Sequence, residues 1–131
     1  MGKPKVAFFD FAGCEGCQIE FTNYGDEAFL ELIKHVDVVE FREAMTETTT
    51  EPIDIAFVEG GFTREADRAR LERIRERAAI VIAYGQCAAG GGINGLKNHQ
   101  SDYSEFVYGK DADQPHLDSQ KAQPVSAAIK V

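Results

Sequence analysis

The chain has 131 residues, 44% of them apolar and 27% charged, which fits one globular domain with a real core and not two. Its 22 acidic against 14 basic side chains give a formal charge of −8. Such a surface repels phosphate backbones, and no dense basic stripe offsets it, so nucleic acid is excluded as a partner. No apolar run approaches the roughly 20 residues that a membrane span needs. Met1-Gly2-Lys3-Pro4-Lys5 lacks the regions of a signal peptide, so the cytoplasm is the expected compartment.

Val6 to Asp10 predicts a first strand. Phe21, Tyr24, Ala28, Phe29, Leu32 and Ile33 then recur at helical spacing, so a helix is expected over much of 17–34. Gly25 lies inside that span, where glycine costs about 1 kcal/mol of helix propensity. Val36 to Phe41 reads as a second strand, and the threonine-rich stretch from Thr46 to Pro52 as a loop. Ile53 to Val58 is a third, more continuously apolar strand running into Glu59-Gly60-Gly61.

Thr63 is the expected N-cap of the next helix, with Glu65 and Asp67 in its first turn where the dipole favours negative charge. That helix, through Arg77, is expected to bury Leu71, Ile74 and Ala78. Its Arg68/Glu72 and Glu72/Glu76 pairs at i,i+4 read as a solvated face. Ile80 to Tyr84 is the fourth strand, β-branched and expected to be buried. Beyond Leu96 the chain turns polar, and no element is assigned from Lys97 to Gln123.

Strands alternating with helices imply an α/β fold with a mostly parallel sheet and helices on both faces. Such sheets hold their sites outside the carboxyl ends of the strands. Cys14, Glu59 and Cys87 each follow directly on a predicted strand end and are expected on one edge.

The three cysteines fall in glycine-rich runs, Phe11-Ala12-Gly13-Cys14-Glu15-Gly16-Cys17 and Gly85-Gln86-Cys87-Ala88-Ala89-Gly90-Gly91-Gly92-Ile93. An odd count in a reducing compartment argues against a disulfide framework. A thioredoxin-like pair would leave Cys87 unexplained, and the chain has no tryptophan. Zinc would need a closed set of four ligands, with only His35, His99 and His116 to complete it. Thiolates also bind iron, and exposed glycine amides reach sulfur to tune its potential, which points to an iron–sulfur cluster. Incidental buried cysteines stay open as an alternative.

These motifs in order, with Val58-Glu59-Gly60 between them, resemble the small subunits of [NiFe]-hydrogenases, a family that includes an iron–sulfur subunit of respiratory complex I. Val39-Glu40-Phe41-Arg42-Glu43-Ala44-Met45 is similar to the cytosolic, multi-subunit branch. Complex I subunits typically carry adjacent cysteines at the first motif, whereas Glu15 and Gly16 stand between them here.

The resemblance implies a flavodoxin-like cluster-binding domain over 1–98, with 99–131 as its less regular extension. It implies a [4Fe–4S] cluster on Cys14, Cys17 and Cys87, proximal to a nickel–iron site in a separate large subunit. Electrons would pass on to other iron–sulfur or flavin subunits. Glu59, and more weakly Glu20, would join a proton route or the subunit interface; the carboxylate of Glu59 accepting backbone N–H bonds in the adjacent loop is the alternative. The family's fourth ligand lies in a Pro-Gly-Cys-Pro-like motif, and 124–131 resembles the approach to it, so the chain reads as ending early. A [3Fe–4S] cluster or an apo domain then becomes an alternative, with His99 and His116 as substitute ligands or solvated loop residues. A metal-free domain taking FMN or another anion on Gly60-Gly61 and Gly90-Gly91-Gly92 is the reading from a different class.

Overall fold

The computed structural model describes residues 2–100, 103–109 and 121–131. Strands β1 (Lys5–Asp10), β2 (Asp37–Phe41), β3 (Ile53–Glu59) and β4 (Ala78–Tyr84) form one sheet in the order β2-β1-β3-β4. Every pairing is parallel. The order matches the first four strands of the flavodoxin-like arrangement, with the switch point between β1 and β3. Cys14, Glu59 and Cys87 therefore share one edge.

Helices cover both faces, as the alternation requires. On one face α3 (Glu65–Arg77) and the short α4 (Gly85–Gly90) bury Leu71, Ile74 and Ala88 against Ala7, Phe9, Ala56, Val58 and Val81. Val125 and Ile129 join this core, and residues 121–131 are tied to the sheet edge by an antiparallel bridge between Phe62 and Gln123. On the other face α1 (Gly16–Thr22) and α2 (Asp26–His35) lie over an aromatic cluster. Phe8 stacks on Phe41 at 4.4 Å and on Phe57 at 4.9 Å, with Phe21 of α1 at 5.1 Å.

Four expectations need correction. The helix expected over 17–34 is two helices, because Gly25 adopts φ +98°, outside the helical region, and serves as the N-cap of α2. Helix α3 starts one residue later than a Thr63 cap implies. Arg64 occupies the cap with no side-chain bond, and Asp67 at the third helical position reaches back to the Thr63 and Arg64 amides, one half of a capping box. Strand β4 is the edge of the sheet among the described residues, and only its Val81 face is covered, so Ile80 stays 54% exposed and Ile82 36% exposed. Finally, Glu72 and Glu76 lie exposed as expected, but Arg68 is half-buried over the Phe62 ring at 5.1 Å. Arg70 lies over the Phe11 ring at 4.5 Å and Arg77 over Phe9 at 5.4 Å, while Arg77 also pairs with Glu40 at 2.9 Å. Arg68 pairs with Glu65 at 3.5 Å. The long aliphatic stems let these arginines cover ring faces while their heads find acceptors.

Past Leu96, where periodicity announced nothing, Ile93–His99 form a 3₁₀ turn and Tyr103–Tyr108 a short helix. No described helix is long and apolar enough to cross a membrane.

Two outcomes follow from this packing. Phe8→Ala removes the ring that three others pack on, and should cost about 3–5 kcal/mol in denaturant unfolding; a loss below about 1 kcal/mol would show that the cluster closes over the gap. The Arg64 hydrogen bond holds the Asp67 carboxyl below its ordinary range. A depressed folded pKa gives stability that is present above the unfolded value and lost as pH falls through the folded one. Arg64→Ala should thus be less stable than wild type at neutral pH, the two converging in acid.

Candidate metal centre

The cysteine loops are built by close backbone approach. After β1, Phe11 N–H donates to the Glu59 carbonyl at 2.9 Å, and Ala12 and Gly61 exchange bonds at 2.9 and 3.0 Å. Gly60, at φ +89°, lies so near that a Cβ there would sit 2.6 Å from the Phe11 carbonyl carbon. The chain then turns through Cys14 and Glu15, whose φ of 60° is left-handed, into α1 at Gly16. Glu15 has its carboxyl raised above the usual range by a hydrogen bond with Glu43.

Glu59 holds this loop in place. Its side chain is only 4% exposed, and its carboxylate accepts the Cys17 N–H at 3.1 Å and the Gln18 N–H at 3.0 Å. Helix starts leave N–H groups without intrahelical partners, and Glu15 makes no side-chain cap. A carboxylate from the end of β3 fills that role, at the end of α1 where the dipole favours it. Backbone acceptance, one of the two readings of Glu59, is thus its observed geometry. Glu20 lies exposed on α1.

All three cysteines are free thiols, Cys14 exposed and the other two half-buried. Burial, and then the Glu59 carboxylate, push the Cys17 thiol up, with smaller contributions from Cys14 and Cys87. Cys17 Sγ lies against Gly85, two residues before Cys87. Glycines clear space for the sulfurs: a Cβ on Gly85 would collide with Cys17 Sγ, and one on Gly92 would lie 2.5 Å from Cys87 Sγ. Gly61 packs on the Cys87 carbonyl, where a Cβ would come within 3.1 Å.

Among the described residues no three His, Cys, Asp or Glu side chains form a group that could hold a single metal ion. A polynuclear cluster asks something else, because each thiolate binds a different iron and the donors need not meet at a point. Three reduced thiols on one rim, with sulfur seats that only glycine permits, fit that demand. So does Gln18, 2% exposed, whose Nε2 is buried without a partner among the described residues, the kind of orphan that a bound group or water satisfies. His99 is exposed, and His116 lies outside the described residues.

Sequence reasoning missed Tyr84. Its hydroxyl donates to the Cys17 carbonyl at 2.9 Å while its ring meets Phe57 edge-on at 5.8 Å. Burial raises its pKa, helped by Cys17, Glu59 and Glu20, so the phenol keeps its donor proton. Only its place just before Gly85 hinted at this.

A parallel α/β domain with a thiol rim at its switch point is the class that fold and site define. The chain belongs to the family of the NADH ubiquinone oxidoreductase 20 kDa subunit, whose model matches residues 14–131. It is 34% identical to a subunit of the F420-non-reducing hydrogenase vhu of Methanocaldococcus jannaschii, over 96% of this chain and 45% of that one. It is 37% identical to the delta subunit of the NAD-reducing hydrogenase HoxS of Cupriavidus necator, over 74% and 46% respectively. The chain thus spans less than half the length of these relatives. A chain in the crystal structure of an NAD+-reducing [NiFe]-hydrogenase in the H2-reduced state superposes with a TM-score of 0.77. The match covers 99% of this chain and 79% of that one, at 23% identity, a likeness of fold.

Replacing Glu59 with glutamine leaves one acceptor oxygen for two amides. Glu59→Gln should cost about 1–3 kcal/mol in denaturant unfolding; an unchanged midpoint would mean the Cys17 and Gln18 amides have other partners. Gly85→Ala adds a Cβ at φ +82° against the Cys17 sulfur. It should push that thiol out of its seat and change its alkylation rate. Identical alkylation kinetics would contradict the packing.

Proposed function

We propose that this chain is the cluster-holding, electron-transfer part of the small subunit of a cytoplasmic [NiFe]-hydrogenase. Cys14, Cys17 and Cys87 ligate an iron–sulfur cluster of the [4Fe–4S] type, proximal to a nickel–iron site in a partner large subunit. The observation that carries this reading is the pair of glycine-cleared sulfur seats, Cys17 on Gly85 and Cys87 on Gly92. Family membership and relatives named as hydrogenase subunits support it.

When bound, the cluster takes up and releases single electrons. The chain's own work is to hold the ligands and set their surroundings. Glu59 fixes the turn that carries Cys17, and the rigid carboxyl edge of the sheet presents the rim. Three thiols leave one ligand of a cubane to be supplied by another group, and without it a [3Fe–4S] form results. The exposed rim, with Cys14 and Glu20 on it, is the surface proposed to meet the large subunit. Other iron–sulfur or flavin subunits are the proposed onward carriers. Glu59 and Glu20 remain the proposed carboxylates for a proton route or for that interface.

Iron and acid-labile sulfide per chain, measured on this chain isolated without oxygen from the complex it is co-expressed with, test the reading. Four irons, or three, are expected, with Cys17→Ser and Cys87→Ser each lowering the count. Metal-free protein would overturn it, and a retained flavin spectrum would favour the anion-binding alternative.

A further inference from the structure

The ligand set leaves Tyr84 without a role, yet its hydroxyl bonds the carbonyl of a ligand residue from a different part of the chain. We propose that Tyr84 is a positioning residue which, with Glu59, clamps Cys17 from both sides and so sets the spacing of its sulfur from Cys87. This rests on the cluster reading above.

Glu59, at the end of β3, holds the Cys17 N–H at 3.1 Å. Tyr84, at the end of β4, holds the Cys17 C=O at 2.9 Å. The peptide units before and after Cys17 are thereby pinned by two neighbouring strands that are themselves paired at Glu59 and Tyr84. With both peptides fixed, the sulfur's remaining freedom is rotation about χ1, and Gly85 closes one side of that arc. Gly85 follows Tyr84 directly, and Cys87 comes two residues later. The strand end that holds the Cys17 carbonyl thus also carries its sulfur seat and another ligand.

The phenol is well suited to the task. Its ring is held edge-on by Phe57, so the hydroxyl is delivered by a stiff group at little cost in entropy. A carbonyl oxygen has two lone pairs, and the bond from Tyr84 adds to any that α1 supplies. Cys14, by contrast, is exposed, and Glu15 beside it is left-handed.

Tyr84→Phe keeps the ring contact and removes one donor. In the co-expressed complex, iron release to a chelator should be about three- to tenfold faster than in wild type, the factor that one lost hydrogen bond implies. The EPR g-values of the cluster should shift, while the denaturant midpoint of the full chain falls by no more than one lost hydrogen bond implies. A purely structural role would move the midpoint and leave the g-values alone. Tyr84→3-fluorotyrosine, a stronger donor of nearly the same shape, should slow release, and it keeps the question decidable if the phenylalanine variant fails to accumulate. With iron-loaded wild type as the reference, unchanged release and unchanged g-values in the variants would overturn the clamp alone. A wild-type chain isolated from the complex without iron or labile sulfide would overturn both the clamp and the cluster reading.

Discussion

A single buried carboxylate joins the parts of this domain that matter. Glu59 leaves the end of β3 and bonds the first-turn amides of α1 at 3.0 and 3.1 Å, and the site stands or falls with that contact. A short helix preceded by glycines has little intrinsic stability, since nucleation is unfavourable and α1 is only seven residues long. Its start is satisfied instead from the sheet. The helix that carries Cys17 is thereby indexed to the same strand ends that lead to Cys87.

The same contact carries an electrostatic consequence. A carboxylate 4% exposed and bonded to two amides sits beside the Cys17 thiol, and it adds to burial in pushing that thiol up. Negative charge on that sulfur is disfavoured until a cation is present to offset it. A metal centre bound there would supply that cation. The sulfur seats agree with this, because Gly85 and Gly92 take conformations at +82° and +62° that side chains rarely adopt.

Much of this is legible in the residues alone, for identifiable reasons. The runs of β3 and β4 are apolar and end at glycines, and Cys14, Glu59 and Cys87 lie at or shortly past the ends of β1, β3 and β4, so parallel topology alone puts them on one edge. What escapes depends on partners far apart in the chain or on a single dihedral angle. The split between α1 and α2 turns on Gly25 adopting positive φ, while the apolar spacing around it runs on undisturbed. The arginines of α3 look like solvent-facing charges until the helix is laid over Phe9 and Phe11. Ile80 and Ile82 read as buried because composition does not say which strand is the edge. Tyr84 reaches across 67 residues to Cys17, and no local pattern encodes that.

The central claim is that Cys17 and Cys87 ligate one common iron–sulfur centre. Mössbauer spectroscopy of the iron-57-labelled complex addresses it directly. The account predicts tetrahedral, sulfur-ligated iron whose spectrum changes at a subset of sites in Cys17→Ser and, separately, in Cys87→Ser. Spectra of the two variants that match wild type, or iron coordinated by nitrogen and oxygen alone, would contradict it.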